Sequence, residues 1–164
     1  MPSCSSARRS ASLNGWRLTL ASASADWTVR LWEVDTGDLL HTLEGKAEDA
    51  NSVDFSPDDS LLASGLGNLP FIDGGIVRLW DVRTGELRRT LHRHAGSVSA
   101  VAFSPDGRLL AVACLDGTVR FFDAATTQSV GAILEHPSQP FGLIFRPDSR
   151  SLITATRDGS VSSA

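Results

Sequence analysis

A repeated pattern of short apolar runs separated by tight turns constrains this chain more than any other feature. Residues 101–123 read VAFSPDGRLLAVACLDGTVRFFD. Three apolar runs of strand length are separated there by a Ser-Pro-Asp-Gly turn and an Asp-Gly turn. Runs of this length between turns of this type predict an antiparallel meander. We therefore expect strands rather than helices.

The same pattern recurs at a nearly constant spacing. The sequence FSPDG at 103–107 is matched by FSPDD at 55–59 and by FRPDS at 145–149, so the spacings are 48 and 42 residues. The sequence TVRFFD at 118–123 is matched by TVRLWE at 28–33 and IVRLWD at 76–81. Repeats of roughly 40–45 residues with four short strands each indicate a propeller array.

The repeats resemble those of the WD40 family over about residues 17–164. The features are the pair Trp80-Asp81, the Phe-Ser-Pro-Asp turn, Asp-Gly-Thr-Val-Arg before the third strand, and a histidine nine residues before the phenylalanine, at His94 and His136. The resemblance implies an all-β fold. We expect a partial WD40 β-propeller with about three four-stranded blades and an incomplete fourth.

The predicted blades span about 13–45, 46–92, 93–135 and 136–164, and the last is truncated. Residues 1–12, MPSCSSARRSAS, are predicted to be a disordered or non-native segment because they contain no apolar core. The family usually closes a ring of about seven blades, near 300 residues at this repeat length. We therefore expect a fragment whose ring is closed by self-assembly or by missing blades.

The composition bears on the class of partner. The net charge is −4, and both signs are interspersed, which argues against a dedicated nucleic-acid or membrane surface. No apolar run is long enough to span a bilayer. The two cysteines, Cys4 and Cys114, give no disulfide framework, so a cytoplasmic location is expected.

The resemblance also implies a polar network in each complete blade, made of a loop histidine, a second-strand hydroxyl, a turn aspartate and a third-strand tryptophan. Such groups must find partners when they are buried. The second-strand hydroxyl is Ser22 or Ser24 in the first blade and Thr154 or Thr156 in the fourth. No blade keeps all four members, so we expect a weaker or rewired network. The predicted members are His94, Asp116, His136, Asp158, Thr154, Asp26, Ser24, Trp32, Asp73 and Trp80.

The same residue types could suggest catalysis, since Cys114 with His94 and Asp116 resembles a thiol enzyme. We favour the structural interpretation because a catalytic triad occurs once, whereas these sets recur with the blade period. The Asp-Gly turns each offer one carboxylate rather than a calcium-binding cluster, and the histidines lack the spacing of a zinc motif. We predict no catalytic residue, no metal and no cofactor.

An insertion at residues 65–75, GLGNLPFIDGG, lengthens the second repeat by six residues. It places Leu69, Phe71 and Ile72 in a loop, where apolar side chains are costly to leave in water. Two interpretations remain open: these side chains anchor a partner, or they fold down over a neighbouring blade.

The sequence therefore predicts a non-catalytic protein–protein interaction scaffold with unidentified protein partners. The alternative is a fragment of the WD40 sensor or regulatory part of a larger multidomain enzyme, such as a kinase or a protease.

Overall fold

The structure, a computed structural model, describes residues 5–12, 15–44, 48–67, 74–91 and 94–163 of the 164-residue chain. All regular secondary structure in these ranges is β-strand, arranged in four antiparallel sheets. The all-β prediction is confirmed. No helix in these ranges is long and apolar enough to cross a membrane.

Each sheet is formed by strands that are consecutive in sequence, and we call the sheets blades 1 to 4. Blade 1 contains β1 (Ser5–Ser12), β2 (Gly15–Ala23), β3 (Thr28–Glu33) and β4 (Leu39–Glu44). Blade 2 contains β5 (Ala50–Phe55), β6 (Leu61–Leu66), β7 (Ile76–Asp81) and β8 (Leu87–Leu91). Blade 3 contains β9 (Val98–Phe103), β10 (Leu109–Cys114), β11 (Thr118–Asp123) and β12 (Ser129–Glu135). Blade 4 contains β13 (Pro140–Phe145), β14 (Leu152–Thr156) and β15 (Val161–Ser163).

The Ser-Pro-Asp turn fixes the first hairpin of blade 3. The hydroxyl of Ser104 donates to Asp106 Oδ1 at 2.6 Å and accepts the amide of Leu109 at 2.9 Å, so one side chain closes both ends of the turn. Gly107 takes a φ of 72°, in the left-handed region that glycine adopts without strain. The turn of blade 2 forms the same two bonds around Ser56.

The hydrophobic core lies between neighbouring blades rather than inside one sheet. Between blades 2 and 3, Val77 and Leu79 from β7 belong to the same buried cluster as Val98, Phe103 and Leu110 from the next blade. Each of these five side chains is at most 5% exposed. A blade therefore depends on its neighbour to bury its apolar face, as repeat architectures do in general.

The N-terminal segment differs from the expectation of disorder. Residues 5–12 form β1, which pairs antiparallel with β2 from Ser5 opposite Ser22 to Ser12 opposite Gly15. Pairing with β2 satisfies the backbone of this segment whatever its side chains are, and composition alone gives no signal for that. Blade 1 thus begins eight residues earlier than the expected boundary at residue 13.

Candidate functional site

A groove runs across the first strands of three consecutive blades, β5, β9 and β13. It has a volume of about 700 Å³, and its wall and rim include Val53, Val101, Phe103, Phe141 and Ile144. Two of these side chains extend into solvent, since Phe141 is 59% and Ile144 is 61% exposed. Most large apolar side chains of the neighbouring strands are buried, so this rim is an unusual surface.

Polar side chains lock the three strands of the groove to one another. The amide of Val101 donates to Ser52 Oγ at 3.1 Å, and the amide of Phe103 donates to Asp54 Oδ2 at 2.8 Å, which ties β9 to β5. On the other side, Ser99 Oγ donates to the carbonyl of Pro140 at 2.5 Å and ties β9 to β13.

These three linking residues, Ser52, Asp54 and Ser99, were not among the predicted site residues. The sequence signal for them is a polar residue within a first strand, but only the neighbouring blade shows what that residue meets. Because they fix the distance between adjacent strands, the groove has rigid walls.

The tryptophans of blades 1 and 2 find hydroxyl partners on the second strand. Trp32 Nε1 donates to Ser22 Oγ at 3.1 Å, and Trp80 Nε1 donates to Ser64 Oγ at 2.9 Å. The choice of Ser24 as the partner is therefore corrected to Ser22. Leu20 pairs with Trp32, so Ser22 is the diagonal neighbour of the indole on the same face, whereas Ser24 lies farther along, just past the end of β2.

In blade 1 the predicted turn residues bond locally instead of joining the tryptophan. Ser24 Oγ accepts the amide of Asp26 at 3.2 Å. The carboxylate of Asp26 accepts the hydroxyl of Thr28 at 2.6 Å and forms an ion pair with Arg30 at 3.0 Å. The hydrogen bond from Thr28 is the main reason that the pKa of Asp26 lies below its usual value.

In blade 3 the predicted pair His94 and Asp116 forms no hydrogen bond. Asp116 is exposed and accepts the amide and the hydroxyl of Thr118 at 2.9 and 2.7 Å. His94 is only 3% exposed, and neither ring nitrogen has a hydrogen-bond partner among the described residues. Its ring packs edge-on against Phe122 at 5.6 Å. Burial lowers the pKa of His94 to about 4, helped by the charge of Arg120 and opposed by that of Asp116.

In blade 4 the hydroxyl that meets the turn aspartate belongs to Thr156 rather than Thr154. Thr156 Oγ1 donates to Asp158 Oδ1 at 2.7 Å, and this bond with those from Ser160 lowers the pKa of Asp158 to about 2. Thr154 is buried, and its hydroxyl has no partner in the described part of the chain. Nε2 of His136 is likewise buried without a hydrogen-bond partner among the described residues.

Four predicted residues lie outside the described ranges. They are the loop residues Leu69, Phe71 and Ile72 and the turn residue Asp73. Their roles stay predictions.

The thiol-enzyme interpretation is weakened by the surroundings of Cys114. The thiol is fully buried, and burial raises its pKa to about 12, so almost none of it is thiolate at neutral pH. In the ranges described, no group of three or more histidine, cysteine, aspartate or glutamate side chains is placed to hold a metal ion.

Comparison with known proteins identifies the family. The family model described as WD domain, G-beta repeat matches residues 37–81 and 85–123, which together make up just over half of the chain. The chain belongs to the WD40 family. This confirms the resemblance inferred from the repeats.

Similar proteins match over shorter stretches. The chain is 56% identical over 41 residues to the F-box-like/WD repeat-containing protein TBL1X of Mus musculus, which is 25% of this chain and 8% of that protein. It is 45% identical over 47 residues to the WD40 repeat-containing protein HOS15 of Arabidopsis thaliana, which is 29% of this chain and 8% of that protein. The chain thus matches only a small part of the length of these relatives.

A solved structure covers much more of the fold. The crystal structure of the computationally designed Ika4 protein superposes with a TM-score of 0.74 at 27% identity, covering 89% of this chain and 84% of that one. Together with the four antiparallel sheets, this confirms the predicted partial WD40 β-propeller. WD40 repeats generally serve as platforms for protein interaction.

Proposed function

We propose that this chain is a non-catalytic protein–protein interaction scaffold that receives its partner in the groove of β5, β9 and β13. The observation that carries the proposal is the exposure of Phe141 and Ile144 on β13, at 59% and 61%. Large apolar side chains beside a groove are typical anchors of protein interfaces.

The rigidity of the groove also supports the proposal. The links from Ser52, Asp54 and Ser99 hold its strands in place before any partner arrives. A pre-organised surface loses less conformational entropy on binding, so more of the contact energy appears as affinity. The partner would be an apolar peptide or protein segment, because the rim offers aromatic and aliphatic contacts rather than clustered charge.

Site-specific photocrosslinking tests the proposal. A photoreactive phenylalanine analogue at position 141 is expected to capture the partner, whereas the same analogue at Val34 is not. Val34 is a matched control because it is an exposed apolar residue, at 43%, just past the end of β3 and outside the groove.

Affinity measurements on the captured partner complete the test. The Phe141→Ser and Ile144→Ser variants should each weaken its binding by about tenfold or more, as expected for interface anchors. The Val34→Ser variant should leave it unchanged. Equal binding by all three variants would exclude the groove as the interaction surface.

The insertion offers a second anchor. If Leu69, Phe71 and Ile72 contact the partner, then the variants Leu69→Ala and Phe71→Ala should also lose binding. If these side chains pack on a neighbouring blade instead, the variants should change stability and leave affinity unaltered.

Two further predictions accompany the scaffold. The last strand of blade 4, β15, exposes Val161 at 68%, so a second copy of the chain or additional blades would cover it, and sedimentation at increasing concentration measures that self-association. A cytoplasmic location stays a prediction.

The alternative function is a sensor part of a larger multidomain enzyme. Such a part would use the same groove and would differ in having a catalytic domain covalently attached.

A further inference from the structure

Blade 3 departs from blades 1 and 2 at two positions that belong together. In β10, Val112 lies opposite Arg120, as Ser22 lies opposite Arg30 and Ser64 opposite Arg78 in the earlier blades. In β11, Phe122 stands where the earlier blades have tryptophan. The hydrogen bond between indole and hydroxyl is therefore lost from both sides in blade 3.

A cavity of about 450 Å³ lies in this region, between β8 of blade 2 and the strands β11 and β12 of blade 3. One water molecule occupies about 30 Å³ of liquid, so the space is large enough for a tetrahedral oxyanion and part of its carrier. The lining residues are Thr90, Leu91, His94, Arg120, Phe122, Thr126, Thr127, Gln128 and Ser129. None of them carries a negative charge.

The first group that lacks a partner in the cavity is the imidazole of His94. It is 97% buried, as its exposed fraction of 3% implies, and both ring nitrogens lack a hydrogen-bond partner among the described residues. A buried polar group without a partner is costly, so a ligand that supplies the missing hydrogen bonds would be stabilised here.

The second such group is the guanidinium of Arg120. The arginines at the same position of the other repeats are paired, Arg30 with Asp26 at 3.0 Å and Arg78 with Glu48 at 3.7 Å. No ion pair or hydrogen bond is formed by Arg120 within the described ranges, and its Nε is buried without a partner. Its positive charge is thus left without a counter-ion beside His94.

We propose that the cavity between β8 and β11–β12 binds a phosphoryl group, with Arg120 supplying the charge and His94 an imidazole N–H. Guanidinium groups match the oxygens of phosphate, and charge-assisted hydrogen bonds are about twice as strong as neutral ones. The side chains of Thr90, Gln128 and Ser129 line the opening and add neutral donors. At the rim, Arg89 reaches the carbonyl of Thr126 at 3.5 Å and brings a second guanidinium close.

Two sources could supply this chemistry, free inorganic phosphate or a phosphorylated side chain of another protein. Both present the same oxygens to Arg120, and they differ in the contacts that the carrier makes outside the cavity. The site is separate from the groove of β5, β9 and β13, since the two have no lining residue in common. Loss of phosphate binding at this cavity would therefore leave partner binding in the groove unchanged.

Titration with inorganic phosphate, followed by NMR of the histidine side chains, tests the site. Bound phosphate stabilises the imidazolium, so the pKa of His94 should rise from about 4 toward its ordinary value as phosphate saturates the site. The groups whose charge acts on this ring are Arg120, which lowers its pKa, and Asp116, which raises it. A phosphate-independent His94 titration would overturn the proposal.

A variant of Arg120 with a matched control, together with a double variant that closes the cavity, separates binding from folding. Arg120→Ala should weaken phosphate binding by about tenfold or more, as loss of a charged hydrogen bond does, while Arg30→Ala at the equivalent position of blade 1 should not. The double variant Val112→Ser and Phe122→Trp restores the indole–hydroxyl pair of the earlier blades, fills the cavity and should abolish binding. If Arg120→Ala binds phosphate as the unaltered protein does, the site is wrong whether or not the double variant folds.

A third arm distinguishes the two sources. A short peptide containing phosphoserine is compared with inorganic phosphate and with the unphosphorylated peptide. Tighter binding of the phosphopeptide than of phosphate identifies a protein-borne group, and equal binding identifies free phosphate. Binding of the unphosphorylated peptide as tight as that of the phosphopeptide would contradict phosphoryl recognition.

Discussion

At the scale of single residues, identical positions of the repeat meet different partners. In blade 1 the third-strand arginine, Arg30, pairs with Asp26 of the same blade. In blade 2, Arg78 pairs with Glu48, which precedes the first strand of that blade. In blade 3, Arg120 pairs with no carboxylate among the described residues. The histidine of the repeat likewise does not reach its aspartate in blade 3, since Asp116 is bound by Thr118. A repeated motif therefore fixes which residue is present and leaves its partner to the surrounding structure.

The buried His94 predicts a loss of stability in mild acid. Its pKa is about 4 in the folded protein and 6.5 when exposed, so the unfolded state binds the proton more readily. The contribution of the neutral His94 imidazole to the free energy of unfolding is fully present above pH about 6.5. It falls as the pH drops toward about 4 and changes no further below that. The loss amounts to about 3–4 kcal/mol, since the two pKa values differ by about 2.5 units and one unit corresponds to about 1.4 kcal/mol.

Urea unfolding as a function of pH measures this loss, and the variant His94→Leu is its control. Removing the imidazole should flatten the stability profile between pH about 4 and 6.5. The carboxylates act in a lower range, because the folded pKa of Asp158 is about 2 and its ordinary value is 3.8. A variant that keeps the full acid sensitivity would show that another group causes it.

At the scale of elements, small residues set how closely neighbouring blades approach. Gly65 in β6 faces β9, and a Cβ there would lie 2.5 Å from Cγ1 of Val98 and 3.2 Å from Cγ1 of Val101. Real Cβ contacts are essentially never as short as 2.5 Å, so either the side chain of Val98 or the neighbouring blade would have to shift. Close packing against β9, rather than a turn, thus explains why a glycine stands at position 65, where the insertion begins.

Substitution of Gly65 by alanine should destabilise the protein by about 1–3 kcal/mol, the usual cost of overpacking a core. Gly142 in β13 is the matched control because a Cβ there would meet only Cβ of Ala155, at 3.4 Å, an ordinary contact. Gly142→Ala should change the unfolding free energy by no more than about 0.5 kcal/mol. Equal unfolding free energies for the two variants in urea would show that β6 and β9 are not tightly packed.

At the scale of the whole molecule, stability is distributed unevenly because each blade relies on its neighbours. The strand β10 in blade 3 is almost entirely buried between blades 2 and 4. All three residues of β15 in blade 4 are exposed, and β13 is largely exposed or half-buried. Repeat proteins unfold from the poorly covered repeats, because nearest-neighbour interfaces supply most of their stability.

Hydrogen exchange should therefore show a gradient along the array. Amides of β10 are expected to exchange most slowly and those of β13 and β15 fastest, since local opening costs least where few apolar contacts break. Mass spectrometry of peptic peptides measures this, and β6, which is equally buried in blade 2, serves as the internal standard. Uniform protection across blades 2 to 4 would mean that the array opens as one unit.

Much of the fold follows from local sequence signals. The apolar runs, the Ser-Pro-Asp turns and the spacing of the repeats predicted strands β5 to β14 in the sheets where the structure has them, because these signals act over a few residues. The segment of β1 gave no such signal. Its backbone is satisfied by β2, and pairing of this kind does not depend on apolar side chains.

The candidate sites could be predicted only in part. The polar residues of the network are recognisable as a set. However, Trp32 donates its hydrogen bond to Ser22 rather than Ser24, and Asp158 accepts one from Thr156 rather than Thr154. Neither the groove nor the cavity beside Arg120 was predicted, because each is formed by strands from different blades.

The sequence by itself determined that this chain folds into repeated four-stranded antiparallel sheets, since strand periodicity and turn chemistry are encoded within each repeat. The tertiary structure alone decided which polar groups are paired, which cavity stays open and which apolar side chains remain in water. The physical reason is that these outcomes depend on distances between blades, where a difference of a few ångströms separates a hydrogen bond from a buried group without a partner.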